Sequence, residues 1–130
     1  MRCNLQTKYG NAGNCFAACV SSLMDMNIED VPNVETMFDL DECFTMQDDT
    51  PLWGRVLDAF IRHHGFIWRP ATEEEIACPP KDKPFLCIGK ALDGVTNHAV
   101  IYMNGKLFFD PNKFRKGLSR ILSLQVIERV

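Results

Sequence analysis

From Tyr9 to Met24 the chain carries no charged residue. Asn14 is a favoured N-cap residue, and the turn-rich approach Gly10-Asn11-Ala12-Gly13 leads into it. A helix from Cys15 to about Met26 follows, with Phe16, Cys19, Val20, Leu23 and Met24 on one face and the small residues Ala17, Ala18, Ser21 and Ser22 on the other. A helix that is apolar or small all round belongs inside a protein, packed on several sides. Cys15 is therefore expected in the first turn of a buried helix.

The pattern then loosens. Ile28-Glu29-Asp30-Val31-Pro32 reads as a turn with a short helical piece, and the acidic stretch 35–50 has no clear period. A second helix is predicted from Pro51 or Leu52 to His64, its apolar stripe made by Trp53, Val56, Leu57, Phe60 and Ile61. Gly65 stops it. Phe66-Ile67-Trp68 reads as a strand, Thr72-Glu73-Glu74-Glu75 as a capped helical turn, and Phe85–Gly89 as a strand after the Pro79-Pro80 loop. The plainest hairpin runs from Asn97 to Pro111 around Asn104-Gly105, and 121–130 reads as one more strand. A buried helix first and strands later make an α+β class, with the N-terminal helix packed on a C-terminal antiparallel sheet.

Length and composition narrow the possibilities. A chain of 130 residues with 46% hydrophobic and 24% charged residues fits one domain spanning 1–130 and argues against disorder. No uncharged apolar run reaches the roughly 18 residues of a membrane helix, and the polar start lacks the apolar stretch of a signal peptide. The expectation is a cytoplasmic protein without a membrane partner. A net charge of −3 excludes a strongly basic nucleic-acid binder. The charge is uneven: residues 1–65 carry 4 Lys/Arg against 10 Asp/Glu, and residues 66–130 carry 10 against 7. Lys113, Arg115, Lys116 and Arg120 form a short basic patch, read as a solvated loop, with a docking surface for an acidic partner as the sharper alternative.

Six cysteines (Cys3, Cys15, Cys19, Cys43, Cys78 and Cys87) without an export signal should stay reduced, mostly as small apolar core residues. Cys15 and Cys19 with His63-His64 could ligate zinc, but the spacing lacks a matching second half, so no metal and no cofactor is expected. His63 and His64 read instead as positive groups at a helix C-terminus. The aromatic residues Phe44, Trp53, Phe66, Trp68, Tyr102, Phe108 and Phe114 could line a pocket, and are read first as core.

Three residues stand out as chemistry. Cys15 opens the buried helix, where N–H groups and the macrodipole favour an anion, so a thiolate is stabilised there. Such surroundings lower a thiol pKa from about 8.5 into the range of roughly 3.5–7.5. The same N–H groups can hold the oxyanion of an acyl-transfer intermediate. His98, at a strand start, can take the thiol proton, and Asp110, at the end of the paired strand, can fix the imidazole tautomer. Register decides whether those two meet. A two-residue loop pairs Met103 with Lys106, sets His98 opposite Pro111 and turns Asp110 to the other face. A three-residue loop, Met103-Asn104-Gly105, pairs Tyr102 with Lys106 and sets His98 opposite Asp110. The catalytic reading predicts the three-residue loop.

The segments Gln6…Gly13-Asn14-Cys15-Phe16-Ala17-Ala18-Cys19, Val31-Pro32-Asn33, Asn97-His98-Ala99-Val100 and Phe109-Asp110-Pro111 resemble papain-like cysteine peptidases. Most similar is their small bacterial and phage branch, akin to the bacteriocin-leader (double-glycine) peptidases. The resemblance implies a papain-like fold, Cys15 as nucleophile, His98 as base, Asp110 as orienter and Gln6 as side-chain donor to the oxyanion. Gln6 precedes Cys15 by nine residues, a longer interval than such enzymes usually have, so Asn11 and Asn14 stand beside it as candidate donors. The loops 39–50 and 90–96 would flank the site.

The leading expectation is a cysteine-dependent hydrolase of peptide or isopeptide bonds acting through an acyl-enzyme on Cys15, its partner a peptide or protein substrate. Deamidation and acyl transfer use the same triad. A rival reading from another class is a catalytically inactive papain-like protein of phage or bacterial type that binds a host protein or a small ligand. Replacement of Cys15 separates the two, because only the hydrolase needs the thiol.

Overall fold

The computed structural model describes residues 1–9, 13–34, 52–114 and 117–130. Helix α1 (Cys15–Leu23) is followed by a 3-10 turn (Ile28–Asp30), α2 (Leu52–His63), β1 (Phe66–Pro70), α3 (Glu73–Ala77), β2 (Pro84–Lys90), β3 (Asn97–Met103), β4 (Lys106–Phe109) and β5 (Arg120–Arg129). The strands form one sheet in the order β1-β5-β2-β3-β4, every neighbouring pair antiparallel. The class is α+β. None of the described helices is long and apolar enough to cross a membrane.

All nine residues of α1 are buried, in keeping with a helix that has no polar face. It ends at Leu23, short of the expected Met26, because Asp25 takes a left-handed conformation (φ 60°) and the chain turns there. The helix lies on β3, with β2 and β5 beside it, and α2 lies on β1. Leu86, Ile88, Ala99, Ile101, Phe109 and Ile127 give the sheet its apolar face toward α1, joined by the fully buried Leu57 and Ile61 of α2. Register explains the face: Leu86 pairs with Ile101 and Ile88 with Ala99, so each pair points the same way.

The hairpin differs from the expected one. Met103 pairs with Lys106, so the loop is the two-residue Asn104-Gly105, not the three-residue loop. Both central residues have positive φ (57° and 79°), the type I′ geometry for which Asn-Gly is favoured. Pairing then slips: Tyr102 faces Leu107 but Ile101 faces Phe109, which leaves Phe108 as an extra residue in β4. One inserted residue inverts the side-chain alternation beyond it. Phe109 is thereby turned onto the core and Asp110 onto the side of His98.

A second irregularity lies between β2 and β5. Ile88 pairs with Ser123 and Gly89 with Ile121. A Cβ on Gly89 would sit 2.0 Å from the Arg120 carbonyl oxygen, so this close approach requires glycine.

At the other end of the sheet a charge network joins three elements and the turn before β2. Arg69 of β1 contacts Glu75 of α3 at 2.7 Å and Glu128 of β5 at 3.1 Å, and Lys83 contacts both carboxylates at 3.0 Å. Glu75 also closes the capping box expected at Thr72: its backbone N–H donates to Thr72 Oγ1 and its carboxylate accepts from the Thr72 N–H. The hydrogen bond from Arg69, then those from the Thr72 N–H and Lys83, hold the Glu75 carboxyl well below its ordinary range. Glu128 is lowered too, first by its hydrogen bond from Lys83.

Candidate active site

The first nine residues run along α1 from its C-terminal end to its N-terminal end. Arg2 N donates to Ser22 O at 3.0 Å, and Asn4 binds both buried serines and the Met26 carbonyl. Ser21 and Ser22 donate in turn to Ala18 O, so no hydroxyl is stranded in the core. Gln6 N donates to Pro111 O at 3.0 Å and ties this segment to the end of the hairpin.

Asn14 does not cap α1, contrary to expectation. Its Oδ1 accepts from Thr7 N and Lys8 N, both at 2.9 Å, and its Nδ2 donates to Thr7 Oγ1 at 2.8 Å. The side chain turns away from the helix to hold the incoming segment, so it is a poor candidate for the oxyanion donor. Asn11 lies outside the described residues, as do Cys43, Phe44, the loop 39–50, Arg115 and Lys116. Gln6 is 7% exposed and its Nε2 donates to Lys8 O at 2.8 Å. That bond fixes the amide, since a flipped group would set two oxygens against each other. Gln6 Oε1 is buried without a hydrogen-bond partner, an unsatisfied acceptor beside the site that is unfavourable by about 1–3 kcal/mol.

His98 and Asp110 meet. Nε2 of His98 lies 2.7 Å from Asp110 Oδ1, with the residues 8% and 7% exposed. Oδ1 also accepts from Asn112 N at 2.8 Å, and Oδ2 accepts from Gly117 N at 2.7 Å. Backbone N–H groups only donate, so both carboxylate oxygens act as acceptors and Nε2 carries the proton. In the neutral imidazole the remaining nitrogen, Nδ1, then holds the lone pair. The Phe108 bulge is what allows this pairing from a two-residue loop.

Cys15, Asn97 and His98 line two cavities. One, of about 330 Å³, is closed by Phe16, Trp53, Ile88 and Leu122 and is apolar. The other, of about 440 Å³, is bordered by Gln6, Tyr9, Gly13, Thr96, Asn112, Phe114 and Gly117, together with Ala91 and Leu92 of the expected flanking loop. The cysteine and the histidine thus share a wall between an apolar and a polar recess. Phe114 and Phe108, expected in the core, are 72% and 51% exposed. Sequence reasoning passed over Tyr9, Asn112 and Gly117, which lie near assigned residues and carry no motif of their own.

The other sequence candidates lie elsewhere. His64 Nδ1 is 2.9 Å from Phe60 O beyond the end of α2, consistent with a helix-terminal role. Among the described residues no group of three or more His, Cys, Asp or Glu could hold a metal ion. Burial pushes the Cys87 thiol up to about 12. Comparison of the chain with protein-family models, with curated proteins and with solved structures gave no match.

Proposed function

We propose that the protein is a cysteine-dependent hydrolase of amide bonds, peptide or isopeptide, built on a papain-like arrangement of a cysteine-bearing central helix and a His/Asp hairpin. The observation that carries this reading is the buried 2.7 Å His98–Asp110 hydrogen bond beside the cavities that Cys15 also lines.

Asp110, anchored by two backbone N–H groups, holds the proton on Nε2 and leaves Nδ1 basic. Nδ1 takes the Cys15 Sγ proton, and the thiolate at the helix N-terminus attacks the carbonyl carbon. Negative charge on the carbonyl oxygen is met by the N-terminal N–H groups of α1 and by the second N–H of Gln6 Nε2, the first being engaged by Lys8 O. Collapse of the tetrahedral species breaks the C–N bond, and Nδ1–H returns its proton to the departing amine. Water, deprotonated by Nδ1, then cleaves the thioester and regenerates the thiol. A carboxamide substrate releases ammonia by the same steps, and an amine in place of water gives acyl transfer. Exposed apolar residues at the polar recess, Leu92 and Phe114, favour a binding role as the second reading.

Thiol alkylation by iodoacetamide against pH, with the labelled cysteine identified by peptide mass spectrometry, tests the reading. Cys15 should react faster than the exposed Cys3 and Cys78 and should still react below the ordinary thiol pKa of about 8.5; His98→Ala should remove that advantage. If Cys15 stays unlabelled until the protein unfolds, the nucleophile is wrong and the binding reading takes its place.

A further inference from the structure

Tyr9 and Phe114 come from segments far apart in sequence, yet their ring centroids are 5.6 Å apart at an interplanar angle of 53°. They are 41% and 72% exposed, so the contact buries little and contributes little to folding. Each is nonetheless held in place. The Tyr9 hydroxyl donates to Gln6 O at 3.3 Å. Phe114 N donates to Asn112 Oδ1 at 2.9 Å, and Asn112 N donates to Asp110 Oδ1, so two consecutive side-chain turns link Phe114 to the carboxylate that orients His98. Lys113 Nζ lies 5.1 Å from the Phe114 ring centroid and steadies the ring.

Both aromatics border the polar recess of Cys15 and His98. Its rim is apolar at Tyr9, Leu92 and Phe114, and its inner wall is polar at Gln6, Thr96 and Asn112. A polar main chain bearing a bulky apolar side chain matches that division. The volume, about 440 Å³, well exceeds the roughly 150 Å³ that admits a benzene ring in an apolar cavity.

We propose that Tyr9 and Phe114 form the specificity platform of this site, receiving a bulky apolar or aromatic side chain of a polypeptide substrate next to the bond that Cys15 attacks. The inference rests on the hydrolase reading. Its test compares alkylation of Cys15 by iodoacetamide and by N-benzyl iodoacetamide, each rate normalised to that of glutathione. The wild-type protein should favour the benzyl reagent by about fivefold, the size of one aromatic contact. Phe114→Ala and Tyr9→Ala should each reduce the preference, Phe114→Ala toward unity, with the circular dichroism native. Phe114→Leu should keep part of it. An equal preference in wild type and both alanine variants overturns the proposal, and so does a preference lost only in Trp53→Ala, which lines the opposite, apolar recess. The wild-type iodoacetamide rate, and its loss in His98→Ala, report on the hydrolase reading separately, so the two failures are distinguishable.

Discussion

Two clusters of charged and titratable groups sit at different ends of one sheet. At one end Arg69, Glu75, Lys83 and Glu128 bind each other through side chains, from three elements and the turn before β2, in partial contact with water. At the other, Asp110 is bound by one imidazole and two backbone N–H groups, nearly out of water. The Glu75 carboxyl of the first cluster, held well below its ordinary range by its hydrogen bond from Arg69, faces neither recess of Cys15. A strongly shifted carboxyl thus marks an ion-pair network here, and function is better sought where a proton's position is fixed by rigid donors.

The contrast can be broken at Asp110. In Asp110→Asn the amide nitrogen must face either the Gly117 N–H, two donors in collision, or His98 Nε2, which reverses the tautomer. Turnover of an amide substrate should fall by on the order of 10³–10⁴, while circular dichroism stays native. Retained turnover would show that Asp110 is only a structural clamp. Gly89→Ala tests the ground between the clusters. The added methyl meets the Arg120 carbonyl and should destabilise the fold by about 3 kcal/mol in urea unfolding. An unchanged midpoint would show that β5 gives way easily.

The smallest effect is expected at the network. Glu75→Gln should lower Tm modestly, and less so in high salt. Glu75 and Glu128 are lowered on folding, so their contribution is complete above the unfolded carboxyl value of about 4.3 and is lost as pH falls through the lower folded values. The gap in Tm between wild type and Glu75→Gln should therefore hold at neutral pH and close in acid. A gap that widened in acid would contradict the assignment.

Local patterns made several parts of this molecule legible. The uncharged run 9–24 announced α1, the stripe Leu57/Ile61 announced α2, and Thr72–Glu75 announced a capping box. What escaped were choices settled by packing at long range. Asn104-Gly105 forms its favoured two-residue turn, but the bulge at Phe108 depends on Phe109 finding the core, which no local signal encodes. Asn14 has the chemistry of a cap, yet Thr7 and Lys8 compete for the same oxygen. The insertion of β5 between β1 and β2 could not be read either, and with it went the network of Arg69 and Glu128.

The all-apolar character of α1 has a consequence for synthesis on the ribosome. The helix ends at Leu23, whereas β3, the strand it lies on, begins at Asn97, and β5 at Arg120. Most of the chain must be translated before α1 has a surface to bury against. Until then the segment that carries Cys15 offers an uncharged, largely apolar stretch to solvent and to neighbouring nascent chains, a hazard that chaperones manage. The late pairing of Phe66 with Arg129 adds a long loop closure to the barrier and slows folding further. In the proposed hydrolase the Cys15 thiol has no general base until β3 is in place, so activated chemistry arrives only after the vulnerable interval has ended.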